Sequence, residues 1–261
     1  MNKHLALIKV GGSFITDKAT PFTAKPENIK LFAEQFAEVY KNNPDTDFIL
    51  GNGVGSFAHG SARIYDLHGG KITPNQFYGM AVTHSGARHI NNLVADALLA
   101  QNIPAYGLSP SGFMLYQNAK LTSSYFDVII ELLANRAVPL LHGDTMMDAA
   151  PGTIIASTEI ILQICLEQFR KAYDRITVIY IMQTNGVLDA AGKTISELHA
   201  SDKIHSHKQI GHDVTGSING KVASARKAAE LADAVYLVSG SESDAVQVAL
   251  NYQEVGTRVT N

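Results

Sequence analysis

Three glycine-rich segments carry lysine or histidine in positions suited to holding an anion. The first is Lys9-Val-Gly-Gly-Ser13, with Lys18 a few residues beyond it. The second is Gly51-Asn-Gly-Val-Gly-Ser-Phe-Ala-His59, and the third is Asp213-Val-Thr-Gly-Ser-Ile-Asn-Gly-Lys221. Glycine lets backbone N–H groups approach an anion closely, and a following helix N-terminus adds positive potential. Lys9, Lys18 and Lys221 beside such loops point to a polyphosphate, or to a phosphoryl group in transfer. That chemistry needs mainly positioning and charge neutralisation, which ammonium groups and amides supply. Taken singly, each loop reads as a turn and each lysine as a solvated charge, so the combination carries the argument. None of the segments has the P-loop form. Gly51, Gly53 and Gly55 lack the further glycine, at Ser56, of a dinucleotide fingerprint. Both of those nucleotide folds are disfavoured.

The surrounding elements must place these loops at one end of a sheet. Leu5 to Val10 is an apolar run entering the first loop, and Asp47 to Leu50 enters the second; both read as buried strands. Ile29, Phe32, Ala33, Phe36, Ala37 and Tyr40 have helical spacing over Pro26 to Tyr40. A helix is predicted from Pro74, at its first turn, to Gln101. Further strands are expected at Pro104 to Leu108, Val138 to Leu141, Arg175 to Met182 and Ala234 to Val238. Helices are expected near Ser124 to Asn135, Ile160 to Tyr173, Gly220 to Ala232 and Ser243 to Asn251. Strands alternating with helices predict an α/β fold, a three-layer αβα sandwich around a mainly parallel sheet. The loops at the carboxyl ends of such strands are where ligands bind. One domain over 1–261 is expected, with a soft boundary near Gly143 to Ser157.

Composition agrees with that class. The chain has 261 residues, 46% hydrophobic and 17% charged, enough for a sizeable core and against a disordered chain. No apolar run approaches the ~18 residues of a membrane span, and Met1 to Ser13 lacks a signal-peptide pattern. A net charge of -3 gives no general attraction to nucleic acid or acidic membranes. The single cysteine, Cys165, cannot form an internal disulfide, which suits a reducing cytoplasm. His205, His207 and His212 show no metal-ligand spacing and read as a solvated loop.

Lys-x-Gly-Gly-Ser, a glycine loop ending Ser-Phe-x-His, His142-Gly-Asp144, and Asp-Val-Thr-Gly-x-x-x-x-Lys occur in that order. Together they resemble the amino acid kinase superfamily, and within it the isopentenyl phosphate kinase branch, with fosfomycin kinase a near relative. The resemblance runs from Leu7 to the Gly256-Thr-Arg-Val259 tail. It implies transfer of phosphate from ATP, with Mg2+, to a phosphate monoester such as isopentenyl phosphate, by a homodimer. It places Lys9 and Lys18 between donor and acceptor phosphates, His59 on the acceptor phosphate, and Lys221 on the nucleotide phosphates. Val54, Gly55 and Ser157 fall at acceptor contacts. Gly11, Gly12, Ser13, Gly55, Gln183 and Ser217 fall at nucleotide contacts. An acceptor-binding half over about 1–150 and a nucleotide-binding half over about 151–261 follow.

The chain departs from the family pattern at several points. Val54 and Ala58 replace loop glycines, and a β-branched residue does not easily take a positive φ. Gln183 and Asn185 replace two carboxylates of the nucleotide segment. Where the family has Ser-Gly-Asp-Asp, this chain reads Ala156-Ser-Thr-Glu159. The better register puts Thr158, a supporting residue beside Asp144, where an aspartate orients the lysines; a one-residue slip puts Glu159 there. Without that carboxylate Lys9 and Lys221 lack a fixed partner, so a weakened regulator that binds nucleotide or phosphate is an alternative reading. A changed acceptor, such as a phosphonate, is another. Phe77, Met80, Ala81 and His84 form a helical stripe that is either core or one wall of a hydrocarbon pocket.

Overall fold

The computed structural model describes residues 3–67, 73–150, 152–202 and 218–261. Its centre is β1 (His4–Val10), buried at every position. β2 (Thr46–Asn52) and β9 (Arg175–Met182) flank it, both parallel to it. Beyond β2 lie β6 (Val138–His142) and the edge strand β3 (Ala105–Gly107). Beyond β9 lie β11 (Ala234–Ser239), β12 (Thr257–Thr260) and β10 (Glu197–His199). Among these eight strands only the β11–β12 pairing is antiparallel.

The two-residue period of β1 feeds two cores. Ala6, Ile8 and Val10 face one, built with α1 (Gly12–Ile15), α2 (Pro26–Asn42), α4 (Pro74–Ala100) and α8 (Ala245–Leu250). Leu5 and Leu7 face the other, built with α5 (Asp127–Ala134), α6 (Thr158–Phe169) and α7 (Ile218–Ala229). A parallel sheet with helices on both faces must be apolar on both sides of its central strands, and β1 shows that. The expected three-layer αβα architecture is the observed one. α4 starts where its sequence signals put it: Thr73 and Gln76 form a capping box, with Pro74 at the first position.

A second sheet, β5-β4-β7-β8, was not anticipated. It comprises β4 (Met114–Gln117), β5 (Lys120–Ser124), β7 (Asp144–Asp148) and β8 (Gly152–Ala156). The stretch read as a soft boundary is thus mostly the antiparallel β7–β8 pair. The buried Asp148 carboxylate joins the two hairpins by accepting from the N–H groups of Asn118, Ala119 and Ala150. No helix among the described residues is long and apolar enough to cross a membrane.

The chain runs from β1 outward through β2, then returns to the opposite side of β1 with β9. That reversal opens a crevice at the carboxyl ends of these strands. α3 (His59–Ile64) lies just beyond β2, in the segment that follows its glycine loop.

Candidate active site

A cavity of about 320 Å3 fills that crevice. Lys9 enters it from the penultimate position of β1, paired in register with Gly51 of β2 and Tyr180 of β9. Gly12 and Ser13 of α1 and Lys18 of the next loop line it as well. The Asp17 carboxylate shapes that loop by accepting from the Ala19 N–H and the Thr20 hydroxyl, both at 3.0 Å. The Ala19 N–H and then the Thr20 hydroxyl hold the Asp17 carboxyl below its ordinary range.

The first two glycine loops meet backbone to backbone. A Cβ on Gly12 would sit 2.8 Å from the Gly55 nitrogen, and one on Gly53 would sit 2.5 Å from the Gly12 nitrogen. Gly55 has φ +50, where an added Cβ would strike the Thr16 hydroxyl. The positive φ of this loop therefore falls on a retained glycine. Val54 has φ -82 and Ala58 φ -132, conformations open to any residue. The two lost glycines did not need to be glycine, and the strain expected at Val54 is absent. Val54, Gly55, Ala58 and His59 all line the cavity.

The opposite wall is the start of α6. Ser157 caps this helix, its hydroxyl accepting from the Ile160 N–H. Ser157, Thr158 and Glu159 line the cavity, so the N-terminus of a twelve-residue helix faces it. Thr158 does not stand in for the family aspartate. Its hydroxyl turns away to donate to the Asn52 carbonyl at 2.8 Å, and its methyl packs over Gly51. The carboxylate comes from Glu159, which makes an ion pair with the Lys9 ammonium. Both side chains are nearly buried, at 7% and 11% exposure. Burial alone would raise the Glu159 carboxyl; the adjacent Lys9 charge, with a contribution from Lys221, holds it below the ordinary range. Lys9 therefore has a fixed partner after all, supplied one residue later than the motif predicts. Lys221, in the first turn of α7, completes this side of the cavity.

Asp144, at the start of β7, also reaches the cavity. Its oxygens accept from His84 Nδ1 at 2.8 Å and from the N–H groups of Thr145 and Ser111. Burial would raise its carboxyl, but the His84 hydrogen bond and the nearby His142 ring outweigh that and lower it.

The cavity thus gathers Lys9, Gly12, Ser13, Lys18, Val54, Gly55 and His59 with Asp144, Ser157, Thr158 and Lys221. Gly11 is not among its lining residues, and its N–H is committed to the Ile181 carbonyl at 2.9 Å. Gln183 lies beyond β9, exposed and outside the lining. Ser217, most of the Asp213 to Lys221 motif, and His205, His207 and His212 lie outside the described residues.

The sequence pattern of the amino acid kinase family matches residues 4–239. The chain belongs to that family. It is 29% identical to an isopentenyl phosphate kinase of Methanocaldococcus jannaschii, over 85% of this chain and 87% of that one. It is 25% identical to an isopentenyl phosphate kinase of Methanothermobacter thermautotrophicus, over 98% and 99% of the two chains. A crystal structure of isopentenyl phosphate kinase superposes with a TM-score of 0.79 at 22% identity, covering 98% of this chain and all of that one; it shows the shared fold.

Of the two readings of the α4 stripe, core or one wall of a hydrocarbon pocket, the wall is the one that fails. The stripe Phe77, Met80, Ala81 and His84 does not line the cavity. Phe77 is exposed, Met80 packs with Ala62 and Leu67, and His84 binds Asp144. The wall that α4 does supply is Thr83 and Ala87, facing Ala62, Arg63, Thr145 and Ile155. Thr83 and Ala87 are also four residues apart, one position off the chosen stripe. Their small, mixed character hid them.

The site also bears on magnesium. Among the described residues no group of three His, Cys, Asp or Glu side chains could cage a metal. Of the cavity carboxylates, Glu159 is held by Lys9 and Asp144 by His84 and two N–H groups. Such a wall fits an ion carried on the phosphates of a nucleotide rather than one held by protein alone.

Proposed function

We propose that this chain transfers the γ-phosphoryl group of ATP to isopentenyl phosphate, giving isopentenyl diphosphate and ADP. The observation that carries the reading is the convergence of Lys9, Lys18, Lys221 and His59 on one cavity, with Lys9 braced by Glu159. The isopentenyl phosphate kinases to which the chain is similar supply the acceptor.

In this mechanism His59 and the Gly55 backbone hold the acceptor phosphate near the α3 end of the cavity. An ionised oxygen of that phosphate attacks the γ-phosphorus, and the bond from phosphorus to the bridging oxygen breaks to release ADP. The acceptor oxygen is already an anion, so no general base is needed. Lys9, Lys18 and Lys221 meet the charge spread over the equatorial oxygens, aided by the α6 N-terminus and the loop amides. Mg2+ bound to the triphosphate would neutralise part of its charge. Small side chains at Ala62, Thr83 and Ala87 leave room for a hydrocarbon tail. The nucleotide runs over the 151–261 half, toward Gln183; the acceptor occupies the 1–150 half. The homodimer rests on the resemblance alone, and the cytoplasmic location on the single, buried cysteine.

No observation favours the regulator reading, since the carboxylate thought missing is present at Glu159, and none favours a phosphonate acceptor. Purified protein with ATP and Mg2+ should release ADP with isopentenyl phosphate and much less with the phosphonate fosfomycin or with other phosphomonoesters. Release that no acceptor stimulates would overturn the proposal.

A further inference from the structure

The next face of α4 borders a second concavity, of about 360 Å3. Thr83 and Ala87 face the kinase cavity; His84, Arg88, Asn91 and Asn92 face this groove. Ser109 and Ser111 form part of its other wall. Its size falls within the ~300–1,000 Å3 of small-molecule sites. Its lining is polar and holds no carboxylate: a guanidinium, an imidazole, two amides and two hydroxyls. Asn91 is committed to Asn52 Oδ1 at 2.7 Å, and Ser109 to His142 Nε2 at 3.2 Å. The Arg88 guanidinium, the Asn92 amide, the Ser111 hydroxyl and His84 Nε2 make no hydrogen bond to the described residues. A planar cationic fork, a ring nitrogen, a hydroxyl and an amide converging on one groove match the oxygens of a phosphoryl group.

We propose that this groove binds the phosphoryl group of a small phosphorylated metabolite, and that its occupancy is felt in the kinase cavity. The connection is Asp144, which lines the kinase cavity while its two carboxylate oxygens accept from His84 Nδ1 and the Ser111 N–H. Both donors belong to groove residues. An oxyanion beside His84 Nε2 would lie across the ring from Asp144, so that one imidazole stands between the two sites. The charged and titratable neighbours of that ring are Asp144 on β7, His142 on β6 and Arg88 on α4 itself. A ligand drawing His84 and Ser111 toward itself therefore shifts the group that they hold. By reciprocity, ligands in the kinase cavity shift affinity for the groove.

The coupling rests on the kinase reading above; the binding does not. Inorganic phosphate is the probe, and the His84 imidazole resonances in 1H–15N spectra of the whole protein are the readout. Titration should shift them, the shift should persist in His59→Ala, and Arg88→Gln should weaken the apparent affinity ~10-fold or more. No shift up to tens of millimolar phosphate, or a shift lost in His59→Ala but kept in Arg88→Gln, would overturn the site. For the coupling, phosphate should alter the wild-type rate even at saturating acceptor. Arg88→Gln should keep the basal rate and lose that response. An equal response in both proteins would overturn the coupling even if binding stands.

Discussion

Replacing Glu159 by Gln separates two views of a carboxylate inside a phosphate-binding cavity. If Glu159 were only an unfavourable negative charge, its removal would tighten ATP binding and leave or raise the rate. If it positions Lys9, the rate must fall. Unit charges ~4 Å apart attract by about 4 kcal/mol at an effective dielectric of 20, and this pair is in direct contact. Breaking such a nearly buried pair strands the Lys9 ammonium, typically at ~3–5 kcal/mol. Gln still accepts a hydrogen bond, so the low end, ~3 kcal/mol, is expected. For a chain of this size that lowers Tm by roughly 6–12 °C. A mispositioned lysine in the transition state costs ~10²-fold in kcat. Steady-state kinetics with ATP varied should show that loss in kcat, with KM for ATP unchanged or lower. A kcat within ~3-fold of wild type and a tighter KM would refute the positioning role.

Thr158→Asp, which restores the family residue by motif, should not raise activity. It replaces a hydroxyl donating to the Asn52 carbonyl with a second buried carboxylate, and should destabilise by ~1–3 kcal/mol in urea unfolding. Val54→Gly should keep activity within a few-fold, because φ at Val54 is already negative, whereas Gly55→Ala should lose most of it by clashing with Thr16. Acid should weaken the fold through His4, the first residue of β1, whose ring bridges Thr46 and Thr177 of the two flanking strands. Burial, then the Arg175 charge, pushes its pKa from 6.5 down to about 4. The unfolded chain takes up that proton first, so the stability of neutral His4 is present above pH 6.5 and lost as pH falls toward 4. The loss is about 3 kcal/mol at most, and His4→Gln should flatten that part of the pH–stability curve.

The layers of the fold were legible because β1, β2, β9 and β11 are apolar runs, and the helices on both faces carry clear periodicity. The β4–β5 and β7–β8 hairpins were not. Lys120 to Ser124 and Asp144 to Asp148 lack strict alternation, and their pairing depends on the Asp148 carboxylate reaching another turn. At the site, Lys9, Lys18 and Lys221 stood out as cations beside glycine loops, and His59 as an imidazole at the end of one. Glu159 was nearly missed because a motif fixes a register in sequence, whereas a helix fixes direction in space. Thr158 and Glu159 are successive first-turn residues about 100° apart, so only one can reach Lys9. A buried lysine in the first strand was the available signal, since it demands a carboxylate from the nearest helix end.

The most direct test of the account is 31P NMR of the protein with ATP, Mg2+ and isopentenyl phosphate. The acceptor's monoester resonance should be replaced by the paired resonances of a diphosphate, at a rate that His59→Ala abolishes while ATP binding persists. An acceptor resonance that stays unchanged while ATP is hydrolysed, or conversion that proceeds equally in His59→Ala, would contradict it.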